Sequence, residues 1–264
     1  MKSKTAGRLK VLWLDAYERR ARLAPGLLVL LPVNVALAVL GLSKAPVVVS
    51  VLTALSLAGG PIVLAELVRH QGRKVQEKLW RSWGGSPTIQ KLRLRQEGQN
   101  TLQRQNWRKA VSSVTGIALL SVRSERANPA RANEVIEVAV GQVRSLTRDE
   151  TRFPLVCAEN RSYGFNRNLY GIRWAGRITA LLVVLGVVAY MLWRANFDHQ
   201  PPLTHVNVFT LLATIVCLVM WCVLPSQERM NSAAERYAYE LLQAAVVLDV
   251  GKSPVTSEGG QQRA

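Results

Sequence analysis

Ile178-Thr-Ala-Leu-Leu-Val-Val-Leu-Gly-Val-Val-Ala-Tyr-Met-Leu-Trp193 is a run of sixteen residues without a charged side chain. Trp174 and Trp193 bracket it. Nineteen residues at about 1.5 Å each give about 28 Å, close to a bilayer hydrocarbon core of about 30 Å with an aromatic residue at each interface. A second apolar run, 205–224, follows at once. Two more, 25–42 and 46–68, lie upstream and are joined by Leu42-Ser43-Lys44-Ala45-Pro46. The pattern predicts an all-α integral membrane protein: two transmembrane helical hairpins, 25–68 and 178–224, flanking a small helical cytoplasmic domain, 69–177.

A hydrophobic content of 49% also occurs in soluble proteins, so distribution rather than average carries this reading. Of the 34 Lys and Arg, seven fall in 1–24, twenty-one in 69–177 and four in 225–264. Only Lys44 and Arg194 occupy the short connections between apolar runs. Positive loops stay on the cytoplasmic side, which predicts a multi-pass protein of a bacterial-type inner or plasma membrane with both termini and 69–177 cytoplasmic. A cleaved signal peptide is not expected, because the small-x-small site at 43–45 is followed by Pro46. Cys157, Cys217 and Cys222 form no disulfide framework and read as small apolar residues.

Residues 8–22 place Leu9, Leu12, Trp13, Ala16 and Tyr17 on one helix face, with basic residues elsewhere. Such a helix, within the basic segment 1–24, lies on anionic headgroups or docks on the protein's own cytoplasmic domain. Pro25 is read as opening the first span. Pro32 removes a backbone hydrogen bond inside it and Asn34 needs a polar partner in lipid, so that span is expected to pack against another helix. Ser50, Thr53, Ser56 and Gly60 form a small-residue stripe in the second span, which Gly59-Gly60-Pro61 should kink. Glu66 and His70 are read as an interfacial pair.

In the middle segment, Trp80-Arg-Ser-Trp83-Gly-Gly-Ser-Pro-Thr88 ends one helix and starts another, with Ser86 as cap. Two backbone donors at Gly84 and Gly85, hydroxyls on Ser86 and Thr88, and cations on Lys91 and Arg93 are the groups an anion site uses. The other reading is a tight helix–helix turn with tryptophans beneath it. A helix capped by Asn100 is expected to run to about 122, with 124–127 a loop, and a second to begin at Asn128-Pro129. Ala132, Val135, Ile136, Ala139, Val143 and Leu146 face inward on the second. Phe153–Cys157 reads as extended. The stretch 160–171 interleaves Arg161, Tyr163, Phe165, Arg167 and Tyr170 with three asparagines. Such side chains stack and hydrogen-bond a base, making Arg161, Tyr163 and Arg167 a second contact, or else form a juxtamembrane turn. The outer loop 194–204 is expected to be solvated, and no metal site is expected. A final helix, 225–250, has a heptad-like seam of Met230, Ala234, Tyr237, Leu241, Ala244 and Leu248 that packs on the cytoplasmic domain or pairs subunits. Residues 251–264 read as a disordered tail.

No P-loop, G-x-S-x-G, H-E-x-x-H or intramembrane carboxylate pair is present, which argues against an enzyme and assigns no cofactor. Residues 69–177 carry 21 basic and eight acidic side chains, a net of +13. The layout resembles, in architecture alone, the small four-span effectors encoded in bacterial anti-phage operons. The expected function is therefore binding of an anionic ligand or partner by the cytoplasmic domain, such as a nucleotide, with the spans assembling as a homo-oligomer into a membrane-permeabilising effector. The alternative is a non-gating scaffold for anionic lipid headgroups, nucleic acid or a protein. The lipid bilayer is a partner in both.

Overall fold

The computed structural model describes residues 16–40, 46–47, 50, 60–95, 100–197, 201 and 203–251. Residues 8–15 of the predicted helix 8–22, residues 48–49 and 51–59 of the second span with Gly59 of its expected kink, Asp198 and His199, and the tail beyond 251 lie outside them. Every regular element among the described residues is helical. A helical turn Ala16–Glu18 and a π-helical turn Arg19–Leu23 lead into α1 (Ala24–Val39). There follow α2 (Gly60–Ser82), α3 (Pro87–Leu92), α4 (Thr101–Thr115), α5 (Val122–Ala127), α6 (Pro129–Leu146), α7 (Pro154–Gly171), α8 (Arg173–Phe197), α9 (His205–Val223) and α10 (Gln227–Val250). By internal contacts the chain divides into two compact units, one of Met1–Leu79 and Arg161–Asn231, the other of Trp80–Asn160 and Ser232–Ala264. The basic stretch 69–177 is thus shared: 69–79 and 161–177 belong to the first unit.

Three helices of the first unit, Arg19–Val39, Arg173–Phe197 and His205–Val223, are long and apolar enough to cross a membrane. They pack pairwise as a bundle. Its outside is apolar, with Leu27, Leu30, Leu181, Leu182, Leu185, Phe209, Leu212 and Val216 all exposed. A water-soluble bundle places its leucines the other way round. Trp174 and Trp193, the expected interfacial pair, are both exposed.

Pro25 does not open the helix. Leu23 and Ala24 already have helical dihedrals, and the chain is helical from Ala16 through Val39. Two prolines therefore sit inside a helix and withhold two N–H groups from the carbonyls four residues earlier, those of Ala21 and Leu28. Each carbonyl accepts a hydrogen bond from another helix. Asn168 Nδ2 on α7 donates to Ala21 O at 2.6 Å, and Trp221 Nε1 on α9 donates to Leu28 O at 3.2 Å. The proline pattern thus selects the partners of the first span. Around Trp221 the core closes with Val68, Leu169, Ile172 and Ala180, and with the half-buried Leu28, Leu64 and Phe165. Gly176 lies flat on the Trp221 ring, where a Cβ would stand 2.2 Å from ring carbons. Arg177 donates from Nε to the carbonyl of Trp221 and from Nη2 to that of Cys222, at 3.2 and 3.3 Å, satisfying carbonyls at the end of α9.

In the second unit α6 packs against α3, α4 and α5. Trp107, Ala110, Val111 and Val114 are buried from α4, and Ala132, Ile136, Ala139 and Val143 from α6. Leu146, expected inside, is exposed. The helix expected to reach 122 stops at Thr115, because Gly116 takes a left-handed φ of 71° and returns its N–H to Ser112. Ser121 then caps α5 across 124–127, where a loop is expected. The predicted extended piece at 153–157 is instead the first turn of α7, with Pro154 at its opening and Phe153 buried before it. Of the α10 seam, Met230, Ala234, Tyr237, Leu241, Ala244 and Leu248 are all buried within the chain. Tyr239 meets Trp107 edge-on at 5.8 Å.

Candidate functional site

The residues predicted for an anion site are folded into the interior of the second unit. Ser86 Oγ accepts from Ile89 N–H, and Thr88 is buried. The two backbone donors expected to be free are engaged: Gly84 N–H donates to Arg81 O at 3.3 Å and Gly85 N–H to Trp80 O at 2.7 Å. Gln90 Nε2 bridges Trp83 O and Gly85 O. Lys91 forms an ion pair with Glu235. Arg93 Nε donates to Asn133 Oδ1 at 2.9 Å and its Nη2 to Gly84 O. Desolvation, reinforced by Arg95 and opposed by Glu125, holds the Arg93 guanidinium below its usual value. Gly84 and Gly85 have φ of 77° and 132°, which side-chain-bearing residues avoid, so this turn requires its glycines.

Beneath that turn lies a group without a signature in the sequence. Glu125 is buried at 1% exposure and accepts from Leu94 N–H at 3.1 Å and from Arg95 N–H at 3.5 Å. Arg108 faces it at 3.8 Å and donates to the carbonyls of Leu92 and Leu120. Burial lowers the Arg108 pKa, with Glu125 opposing and Arg104 adding to the shift. These groups join the end of α3, the loop before α5 and α5 itself to α4, and serve the fold.

Arg161, Tyr163 and Arg167, the predicted second contact, belong to the first unit and lie on α7, so the stretch 160–171 is neither a turn nor an open stacking platform. Tyr163 is buried. Arg167, one helical turn on, lies over its ring at 5.9 Å. Arg161 is half-buried and stands about 200° around the helix from Tyr163, so it does not share that face. Arg167 Nε donates to Asn168 Oδ1 at 3.1 Å and Nη1 to Gln76 Oε1 of α2 at 3.0 Å. Asn168 therefore uses both ends of its amide, one on Arg167 and one on Ala21 O.

Close helix approach makes this junction. A Cβ on Gly171 would meet the Gly72 backbone at 2.7 Å, and one on Gly72 would strike Asn168. A Cβ on Gly164 would reach the Tyr17 hydroxyl at 2.8 Å and the Ala21 Cβ at 3.0 Å. The described part of the N-terminal helix thus docks on α7. It brings Arg22, which pairs with Glu18 and lies 5.6 Å from the Tyr17 ring. The Arg167 guanidinium is held below its usual value chiefly by desolvation. The Tyr17 and Tyr163 hydroxyls oppose the shift, and Arg73 and Arg22 add to it. The hydrogen-bond acceptors of Arg167 are the neutral amides of Asn168 and Gln76.

Replacing Asn168 with alanine should leave Ala21 O without its donor and Arg167 Nε without its acceptor, costing about 1–3 kcal/mol. A Pro25→Ala change, which restores a backbone N–H, should recover part of that loss. Thermal unfolding of the two single variants and the double variant in detergent checks both statements.

Glu66 pairs with Arg69 at 3.2 Å rather than with His70, and the described residues hold no cluster of three metal-ligating side chains. No protein-family model, curated protein or solved structure matches this chain, so its function is argued from these residues alone.

Proposed function

We propose that this chain is an integral membrane protein with spans at 25–42, 46–68, 178–193 and 205–224, both termini and 69–177 cytoplasmic, that binds an anionic ligand or surface on the cytoplasmic side of an inner or plasma membrane. The observation that carries this reading is the charge asymmetry: 32 of 34 Lys and Arg lie outside the two short inter-span connections. The apolar exterior of three helices supports a lipid surrounding. Arg123, Arg126, Arg131, Arg144, Arg148 and Arg152 are all exposed, and a surface of that sign attracts anions.

Between sensor and scaffold, the packing favours a binding scaffold. The described bundle is filled along α9 by the buried Thr210, Thr214, Cys217 and Trp221. Thr210 and Thr214 return their hydroxyls to carbonyls of their own helix. Full-length protein in neutral-lipid nanodiscs should bind vesicles containing anionic lipid, and binding should fall steeply as ionic strength rises through about 0.15 to 1 M. Equal binding to neutral and anionic vesicles would retire the reading. Normal membrane potential on expression, followed with a voltage-sensitive dye, is the accompanying expectation; depolarisation would favour the permeabilising effector.

A further inference from the structure

We propose that Arg22, Arg73 and Arg167 form one binding site for a phosphate group, placed where the apolar helices Arg19–Val39 and Arg173–Phe197 begin. This deepens the reading above and rests on its membrane orientation. Three elements build the site. Arg22 lies in the π turn that opens the Arg19–Val39 helix, and its neighbour Ala21 is tied to Asn168. Arg73 is adjacent to Gly72, which touches Asn168, and stands one turn from Gln76, the acceptor of Arg167 Nη1. Arg167 lies beside Asn168, six residues before the Arg173–Phe197 helix. Asn168 touches the guanidinium of Arg167 and the backbone next to Arg22 and next to Arg73.

The charges of this site are left incomplete by the protein. Among the described residues, Glu18 is the carboxylate that pairs with a guanidinium of this site, at Arg22 Nη1. Arg22 Nε is buried and has no hydrogen-bond partner among the described residues. Arg167 has two neutral acceptors, and Arg73 is exposed. Like charges held together by folding are destabilising unless an anion joins them. Among the described residues Arg73 and Arg167 have no ion-pair partner, and two such cations complement a dianionic phosphomonoester. Forked guanidinium donors match tetrahedral oxyanions better than point-like ammonium groups do. The ligand chemistry is therefore a phosphate group, carried either by a lipid headgroup at the membrane surface or by a soluble phosphate.

Purified full-length protein in neutral detergent, titrated calorimetrically with short-chain phosphatidic acid and separately with inorganic phosphate, tests the proposal. At least one probe should bind saturably at one site per chain. Saturation by the lipid alone assigns a headgroup; saturation by inorganic phosphate, with competition against the lipid, assigns a soluble source. Arg73→Gln, at an exposed position that leaves the junction's hydrogen bonds in place, should weaken binding by about tenfold, as loss of one charge-assisted contact does. Arg167→Lys keeps the charge but loses the fork and should also weaken it. Arg123→Gln removes the same charge from an exposed site in the other unit and should leave affinity within about twofold. Equal losses in Arg73→Gln and Arg123→Gln would overturn the site and leave the general basic-surface reading standing. Absence of saturable binding by either probe would overturn the site while salt-sensitive vesicle association still tested that reading separately.

Discussion

Replacement of Glu125 by alanine is expected to destabilise the second unit by about 3–5 kcal/mol, the range found when one partner of a buried charge pair is removed. The carboxylate is almost wholly enclosed and accepts from the backbone N–H groups of Leu94 and Arg95. It also neutralises Arg108, whose guanidinium is buried against the carbonyls of Leu92 and Leu120. Alanine leaves two half-buried donors and an uncompensated buried cation. Glu125→Gln retains an acceptor and should cost less than alanine, which separates loss of charge from loss of hydrogen bonding. Circular dichroism melts of the full-length variants read the difference, at about 4–8 °C per kcal/mol for a unit of this size. An alanine variant that melts with the parent would show that Glu125 does not hold these loops.

The second large effect is expected at Trp221. Truncation to alanine removes a fully enclosed ring between α1, α8 and the core around Val68 and should cost about 3–5 kcal/mol. Trp221→Phe is more informative, because it keeps an aromatic ring and deletes the N–H that serves Leu28 O. In an apolar bundle an interhelical hydrogen bond contributes about 0.6–1.7 kcal/mol, and the phenylalanine variant should lose about that much. Pro32→Ala supplies the N–H that Leu28 O lacks within its own helix. The loss caused by Trp221→Phe should shrink in the Pro32→Ala background, a coupling that a thermal-unfolding double-mutant cycle measures directly. Additive effects would mean that the indole does not replace the proline's missing donor.

How far the sequence discloses this structure follows from the range of the interactions involved. Apolar runs, Ser86, Asn100 and Asn128 as caps, and the α10 seam depend on neighbours within a few residues, and all are legible. Pro32 signals that a carbonyl needs a donor, but nothing local says that Trp221, 193 residues away, supplies it. The same limit governs the predicted anion site. Gly84, Gly85, Lys91 and Arg93 have the right chemistry, yet Asn133 and Glu235, distant in sequence, engage the two cations. Gly116 is a missed local signal: its place after Thr115 is that of a helix stop, obscured by apolar spacing that continues to Val122. Of the second predicted contact, Arg167 alone meets the cationic junction, because the helical period turns Arg161 aside and buries Tyr163. Arg22 and Arg73 join it only through the contacts of Asn168 and Gly72, which no spacing reveals.

The orientation of the chain in a membrane is the central claim, and cysteine accessibility tests it most directly. Cys157, Cys217 and Cys222 are first replaced by alanine, and Arg131→Cys and Arg194→Cys are introduced separately into the full-length chain. After an alkaline wash both proteins should remain in the membrane fraction. A membrane-impermeant maleimide applied to intact cells should label the Arg194→Cys protein, and the Arg131→Cys protein only after permeabilisation. Labelling of Arg131→Cys in intact cells, or release of the chain by alkali, would contradict the account.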